Sequence, residues 1–436
     1  MAIRLRIAGL RARAALGLMV MALPLCAPLH AAARRHKATA DGAAEKSAVA
    51  ASQPAAFSIP VEPFGFAAPG AFYQGQRQSL VSLDFLDENR LLFTFRAPGL
   101  VRRTLGDDDR PRQIRALVLT VPQGALESEA LWTIHEGGRY LWMLGGSHFL
   151  LSDGDMLKDG DATLELKPLL HFPGPMLWLE MDPAQQLFVT DSREPADTKA
   201  KADSSPGPAT AAADVEEHEP RSENAPDIVL RILRRTTGQV MLVSRVRTVV
   251  HLPISSEGYL EALRANGRDW MLNLNAFTGG SRLLGRVSST CSPPLVFLKQ
   301  DVVLANTCAA QGGRDLVAVS TDGRRLWDAP APPTQVWPVL VPAPDGTLLA
   351  RETLTVSHPV DAFAPLSFDD VTGQLVEVFD AGTGKLVLKA PASPVLDGGG
   401  NVAISPSGRR VAVLNGGAIQ VYELPAPGLP AAAPVL

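Results

Sequence analysis

Cysteine is almost missing from this chain: 436 residues contain three, Cys26, Cys291 and Cys308. There is no CxxC and no HExxH pattern, which excludes the common zinc arrangements. There is no GxSxG elbow, which removes the usual hydrolase nucleophile. Long amphipathic helical periodicity is also scarce, and outside the N-terminus no apolar run is long enough to cross a bilayer. Basic residues do not outnumber acidic ones, since 41 Lys and Arg face 45 Asp and Glu. A mildly acidic chain lacks the phosphate-neutralising charge that nucleic-acid binding needs. Arg102-Arg103 and Arg409-Arg410 therefore read as solvated turns or strand ends.

Glycine (37) and proline (36) are plentiful and punctuate apolar runs rich in Val, Leu and Phe, which points to an all-β protein. Residues 1–31 read as a signal peptide: Arg4, Arg6, Arg11 and Arg13 precede an apolar stretch that ends in small residues near Ala31–Ala33. Its removal takes four positive charges and moves the formal net charge from −4 to −8. Retention as a membrane anchor is the alternative. A lipidated Cys26 would need a small residue where Leu25 stands. The expected address is the periplasm or the exterior. There Cys291 and Cys308, at the open ends of one predicted hairpin, can form a structural disulfide, with two buried thiols as the alternative.

Two segments lack the apolar side chains needed to offset ordering entropy and are expected to be disordered: a linker at 32–56 and an insertion at 192–226. The last residues, 426–436, form a Pro/Ala-rich tail. Between them, seven segments share the pattern apolar strand, short turn, apolar strand: SLDFLDENRLLFTF (82–95), LWTIHEGGRYLWML (131–144), LWLEMDPAQQLFVTD (177–191), VVHLPISSEGYLEALR (249–264), LVFLKQDVVLANT (295–307), VWPVLVPAPDGTLLAR (336–351) and NVAISPSGRRVAVL (401–414). Their turn centres recur about every 45 residues once the insertion and the stretch SHPVDAFAPLSFDD (357–370) are set aside. A second set of turns lies between them, in ILRRTTGQVMLV (232–243), LNLNAFTGGSRLL (272–284), AVSTDGRRLW (318–327) and VEVFDAGTGKLVL (376–388). Each repeat thus holds two hairpins. Stacked radially, such units cover each other's faces, so the expectation is a seven-bladed β-propeller over 57–425 with four antiparallel strands per blade, eight blades being possible. A strand between Phe57 and Tyr73 would close the ring against the last strand, AIQVYEL (418–424).

The turns Pro344-Asp345-Gly346 and Pro406-Ser407-Gly408, with Asp380–Lys385, resemble those of bacterial exported β-propellers of the WD-repeat-like and quinoprotein-like kind. Within that resemblance, STDGRRLW (320–327) is similar to the blade signature of pyrroloquinoline-quinone dehydrogenases, whose Trp docks into the next blade; this implies the same for Trp327. Leu242, Leu283 and Leu388 stand where other docking aromatics would, and no adjacent cysteine pair exists, so no quinone cofactor is expected.

Candidate chemistry is thin. SDGDMLKDGDATLE (152–165) holds Asp153, Asp155, Asp159 and Asp161, a weak calcium candidate because Leu164 stands where an EF-hand loop counted from Asp159 has Gly. EEHE (216–219) and LGDDDRP (105–111) read as charged loops. His135, His148, His171, His251 and His358 are scattered over different repeats. Asp84, Glu180 and Glu377 could face one another across a channel as acid and base. Trp132, Trp142, Trp178, Trp270 and Trp337, with Tyr140, are expected to pack between blades, an exposed subset forming a recognition rim. The expected role is a non-enzymatic binding or scaffold module for protein or carbohydrate, its loops forming the recognition surface. A propeller hydrolase or lyase with carboxylates or histidines at the channel mouth is the alternative.

Overall fold

The computed structural model describes residues 53–67, 80–97, 112–135, 139–194, 227–310, 312–360, 366–396 and 398–425. The expected signal peptide, EEHE and LGDDDRP lie outside them. The described chain is nearly all β-strand, in seven separate sheets. Strand β1 (Phe57–Pro60) comes first in sequence but completes the last blade. Blade 1 is β2 (Ser82–Asp87), β3 (Arg90–Arg96), β4 (Arg112–Thr120) and β5 (Leu126–Ile134); blade 2 is β6 (Leu141–Met143), β7 (Phe149–Asp153), β8 (Met156–Gly160) and β9 (Leu166–His171). Blade 3 is β10 (Met176–Met181), β11 (Leu187–Glu194), β12 (Asp227–Arg234) and β13 (Val240–Val246). Blade 4 has β14 (Gly258–Asn266), β15 (Asp269–Ala276) and β16 (Ser281–Ser288), its innermost strand reduced to one bridge, Ile254 to Tyr259, beside Pro253. Blade 5 is β17 (Leu295–Lys299), β18 (Val302–Cys308), β19 (Arg314–Ser320) and β20 (Arg325–Ala329). Blade 6 is β21 (Gln335–Pro342), β22 (Leu348–Val356), β23 (Val371–Asp380) and β24 (Leu386–Ala392). Blade 7 is β25 (Val402–Ile404), β26 (Arg410–Asn415), β27 (Ala418–Glu423) and then β1.

The architecture is a seven-bladed β-propeller. Its hydrophobic core lies mainly between the blades, one cluster at each of the seven interfaces, with an eighth formed by Val336, Leu354, Val356 and Leu366. Phe93 and Leu91 pack with Ile59, Ile419 and Leu414 between blades 1 and 7. Leu92, one position along the same strand, packs with Phe149 and Leu151 between blades 1 and 2. Further clusters fill interfaces 2–3, 3–4, 4–5, 5–6 and 6–7. This is why β3 reads RLLFTFR without polar alternation: successive side chains point to opposite faces, and both faces are covered.

Six of the seven sequence hairpins are the first-to-second-strand hairpins of their blades. The exception is 131–144. Leu131 belongs to β5 of blade 1 and Leu141 to β6 of blade 2, so this stretch crosses between blades and is no hairpin. The true hairpin of blade 2 turns at Gly145–Ser147, with Leu144 N–H on His148 O at 2.8 Å. All four secondary turns join third to fourth strands as expected.

At three interfaces a fourth-strand side chain fastens one blade to the next. Trp327 lies against Gly384, where an added Cβ would stand 2.7 Å from the indole, and its Nε1 donates to Ala381 O at 2.8 Å in the third-to-fourth turn of blade 6. Trp132 does the same to Leu164 O of blade 2 at 3.3 Å. Ile59 presses on Gly124 in the matching turn of blade 1. The docking expected of Trp327 is therefore present, and Trp132 and Ile59 repeat it. Trp327→Phe keeps most of the buried ring but leaves Ala381 O unpaired. It should cost about 1–2 kcal/mol in denaturant unfolding, and an unchanged midpoint would contradict this role.

Cys291 and Cys308 form a disulfide with Cα atoms 5.6 Å apart, closing a separation of 17 residues at the entry to blade 5. Loop closure of that size is worth about 3 kcal/mol in the chain-entropy account. A Cys291→Ala/Cys308→Ala double variant should melt several degrees lower, whereas equal melting would show that the bridge does not constrain the unfolded chain.

Candidate functional site

Antiparallel up-and-down order sorts the connections onto two rims. Turns joining strands one to two and three to four share one rim; loops joining strands two to three, and the crossings between blades, share the other. The turn rim is laced shut. Glu88 Oε1 of blade 1 accepts Ser407 N–H of blade 7 at 2.6 Å, and Ser147 Oγ of blade 2 donates to Asp87 Oδ2 at 3.0 Å. Gly145 N–H donates to Gln185 Oε1 of blade 3 at 2.9 Å. Gln300 of blade 5 reaches Asp182 of blade 3 at 3.0 Å and Ser256 of blade 4 at 3.2 Å.

The loop rim differs. The three longest within-blade connections leave and return there: 97–111 between β3 and β4, 195–226 between β11 and β12, and 357–370 between β22 and β23. The expected insertion at 192–226 gives three residues to β11, where Glu194 accepts Arg231 Nη2 at 2.9 Å.

A charged group gathers around Arg139 on the first strands of blades 1 and 3. Arg139 stands in the crossing from blade 1 to blade 2. It is aimed by its neighbour Tyr140, whose buried hydroxyl donates to Leu80 O at 2.7 Å and meets Thr94 Oγ1 at 2.6 Å. The Arg139 guanidinium is within electrostatic reach of the Asp84 and Glu180 carboxylates, donates Nε–H to Leu141 O at 3.1 Å, and sits 5.6 Å from the Trp142 ring. Its surface is exposed, yet loss of surrounding water lowers its pKa, with Asp84 and Glu180 opposing. Burial likewise raises the Asp84 carboxyl against the Ser82 hydroxyl and Arg139. Burial pushes Glu180 up to about 7, opposed by the nearby Trp178 indole and Arg139. The Trp178 N–H does not reach normal hydrogen-bond geometry and is left without a partner. Asp191, opposite Trp178 on β11, is raised to about 6 by burial although Oδ2 accepts Val250 N–H at 2.6 Å; its Oδ1 is buried and unpartnered. The His251 ring meets Trp178 edge-on at 4.2 Å.

Two of the three sequence-named channel carboxylates, Asp84 and Glu180, are thus brought into one electrostatic group. Glu377 is not: it is buried in blade 6 beside Arg351 at 2.7 Å, where it holds strands together. His251 joins the group, while His358 sits apart beside Ser357. The calcium candidates do not converge. Asp153 pairs with Lys158 at 2.7 Å and His135 at 2.9 Å, Asp155 with His171 at 3.2 Å, Asp159 with His148 at 3.3 Å, and Asp161 accepts the Thr163 hydroxyl at 2.6 Å. Among the described residues no group of three His, Cys, Asp or Glu is placed to hold a metal. Trp132, Trp142, Trp327 and Tyr140 are buried between blades, Trp178 and Trp270 are half-buried, and Trp337 alone of these is exposed, at 38%. Among the described residues no helix is long and apolar enough to cross a membrane.

No family model and no curated protein matches the sequence. Solved structures with a similar fold include a Pyrococcus horikoshii acylaminoacyl peptidase (7% identity, TM-score 0.45, covering 81% of this chain and 53% of that one). Others are a chain of the mitotic checkpoint complex (9%, 0.43, 94% and 99%) and Kluyveromyces lactis Hsv2p (13%, 0.35, 64% and 71%). This chain spans about half the length of the acylaminoacyl peptidase chains.

Proposed function

We propose that this propeller is an exported binding module that recognises a polyhydroxylated ligand, a saccharide, at the channel mouth of its loop rim. The carrying observation is the Asp84–Arg139–Glu180 group, whose guanidinium keeps its terminal N–H groups free of hydrogen-bond partners among the described residues. Alternating acceptors and donors of this kind suit neighbouring sugar hydroxyls, and the half-buried Trp178 offers an apolar edge beside them. The 97–111, 195–226 and 357–370 connections, rooted on the same rim, would set specificity. The disulfide agrees with an oxidising, extracytoplasmic address.

One observation favours a second reading, a glycoside hydrolase or lyase. A Glu180 half-protonated near neutral pH can serve as a general acid, with Asp84 as its partner. Affinity electrophoresis in polysaccharide gels from pH 5 to 9 separates the two. Binding should change across pH 7 as Glu180 ionises, Glu180→Gln should flatten that profile, and the polysaccharide should be recovered intact. Shortened chains that vanish with Glu180→Gln would establish the enzyme instead. No retardation by any neutral, acidic or amino polysaccharide would overturn both.

A further inference from the structure

The outermost strand of each blade ends its sheet, so its outer backbone edge has no strand partner among the described residues. Such edges recruit further strands unless charge, proline or shortness guards them. Six of the seven are guarded. Strand β5 carries Glu127 and Glu129, β9 carries Lys167 and Pro168, β16 carries Arg282 and Arg286, and β24 carries Lys389 and Pro391. Strands β20 and β1 are five and four residues long, and hold Arg325 with Asp328 and Pro60 respectively. Strand β13 differs. Its first four residues read VMLV, without charge or proline. Val240, Met241 and Val243 are exposed at 46%, 40% and 57%. A bulge beside Met241 does not set this strand apart, because β5, β9, β16, β20 and β24 each carry one near the same turn.

Charge narrows the partner. From Asp227 to Arg247 the outer half of blade 3 holds Arg231, Arg234, Arg235, Arg245 and Arg247 against one acid, Asp227, in a chain whose formal net charge is −4. Arg231 is tied to Glu194. Arg234 is exposed where β12 ends beside the head of β13, and Arg245 and Arg247 are exposed at the far end. Positive charge therefore frames the apolar stretch on both sides. A second copy of this chain would bring its own arginines to the same edge, and like charges disfavour that pairing.

We propose that the outer edge of β13 takes up an extended segment of a partner protein, apolar at its centre and acidic at its ends, as a fifth strand of blade 3. Backbone hydrogen bonds along the edge supply affinity, and the apolar side chains pack against Val240, Met241 and Val243. The carboxylates at either end meet the arginine guanidiniums, whose planar forks match them bidentately. This surface lies on the outer wall and stands independently of the saccharide reading.

The test is fluorescence anisotropy of the labelled peptide N-acetyl-Glu-Glu-Val-Thr-Val-Thr-Val-Glu-Glu-amide with the full chain, together with hydrogen exchange followed by mass spectrometry. The peptide should bind and slow exchange over 240–246 while leaving β16 unchanged. Its counterpart with lysine in place of every glutamate should bind at least tenfold more weakly, and a version with proline for the central valine should not bind. Val243→Glu guards the edge and repels the peptide, so it should weaken binding at least tenfold at an unchanged melting temperature. Met241→Glu is the second variant in case the first melts lower. Equal binding of the acidic and basic peptides overturns the proposal, as do protection elsewhere, binding that survives both variants, or no binding at millimolar concentration. A dimer of the parent chain that Val243→Glu splits in sedimentation would assign the edge to a second copy and also overturns it.

Discussion

Ile59→Asp should open the ring. Ile59 is 2% exposed on β1, pairs with Ile419 of β27, and lies against the Gly124 turn of blade 1. Strand β1 carries the chain start into the last blade and on to the first: Val61 N–H also bonds Gly417 O at 3.0 Å, and Phe66 packs edge-on against Phe93 and Phe95 at 5.2 and 5.3 Å. A carboxylate there has no partner and displaces a core side chain from the seam between blades 7 and 1. The expected loss exceeds about 4 kcal/mol, the range reached only by core disruption. It should appear as a melting point lowered by ten degrees or more and as rapid proteolysis within blade 7. Ile59→Val, which keeps shape and polarity, should cost only about 1 kcal/mol. A cooperative transition at the parent temperature in Ile59→Asp would mean that β1 decorates a ring closed by other contacts.

The second large effect is a dependence of stability on pH that a single substitution removes. Glu352 on β22 is buried, and burial pushes its carboxyl from 4.5 up to about 8, although the Gly400 and Asn401 amides oppose this. Oε1 accepts Gln374 Nε2 at 2.8 Å, and Oε2 stays unpartnered. Its pKa is higher folded than unfolded, so the native state holds the proton more tightly. That contribution is complete below about pH 4.5 and is lost as pH rises through about 8. Glu180 and Asp191, raised to about 7 and about 6, act in the same direction. Stability should therefore fall between pH 5 and pH 9. Glu352→Gln keeps the shape and never ionises, so it should stabilise the protein at pH 8.5 by on the order of 3 kcal/mol and change little at pH 5. Equal stabilisation at both pH values would show that packing, rather than ionisation, governs this site.

Legibility in the sequence followed a physical divide. Hairpins with Asp-Gly or Ser-Gly turns were readable because a tight turn needs a residue tolerant of positive φ, as at Gly346 and Gly408. The stretch 131–144 was misread because a Gly-Gly between two apolar strands looks alike whether the strands pair or lie in adjacent blades. Arg139, which stands in that crossing between blades, was not singled out from the sequence. Asp84 and Glu180 could be named, but not their pairing through Arg139, since their meeting depends on how three blades converge. Glu352 left no trace, because one acidic residue in LLARETL looks like any solvated strand position until both faces of its blade are covered.

The measurement that bears most directly on the proposed recognition site is a saccharide array probed with the parent chain, with Arg139→Ala, and with Arg324→Ala, which alters an exposed side chain on the opposite rim. Selective binding is predicted for the parent, retained in Arg324→Ala and reduced at least tenfold in Arg139→Ala, with all three chains melting alike. Binding that survives Arg139→Ala, or no binding by the parent chain, would contradict a recognition site at the channel mouth.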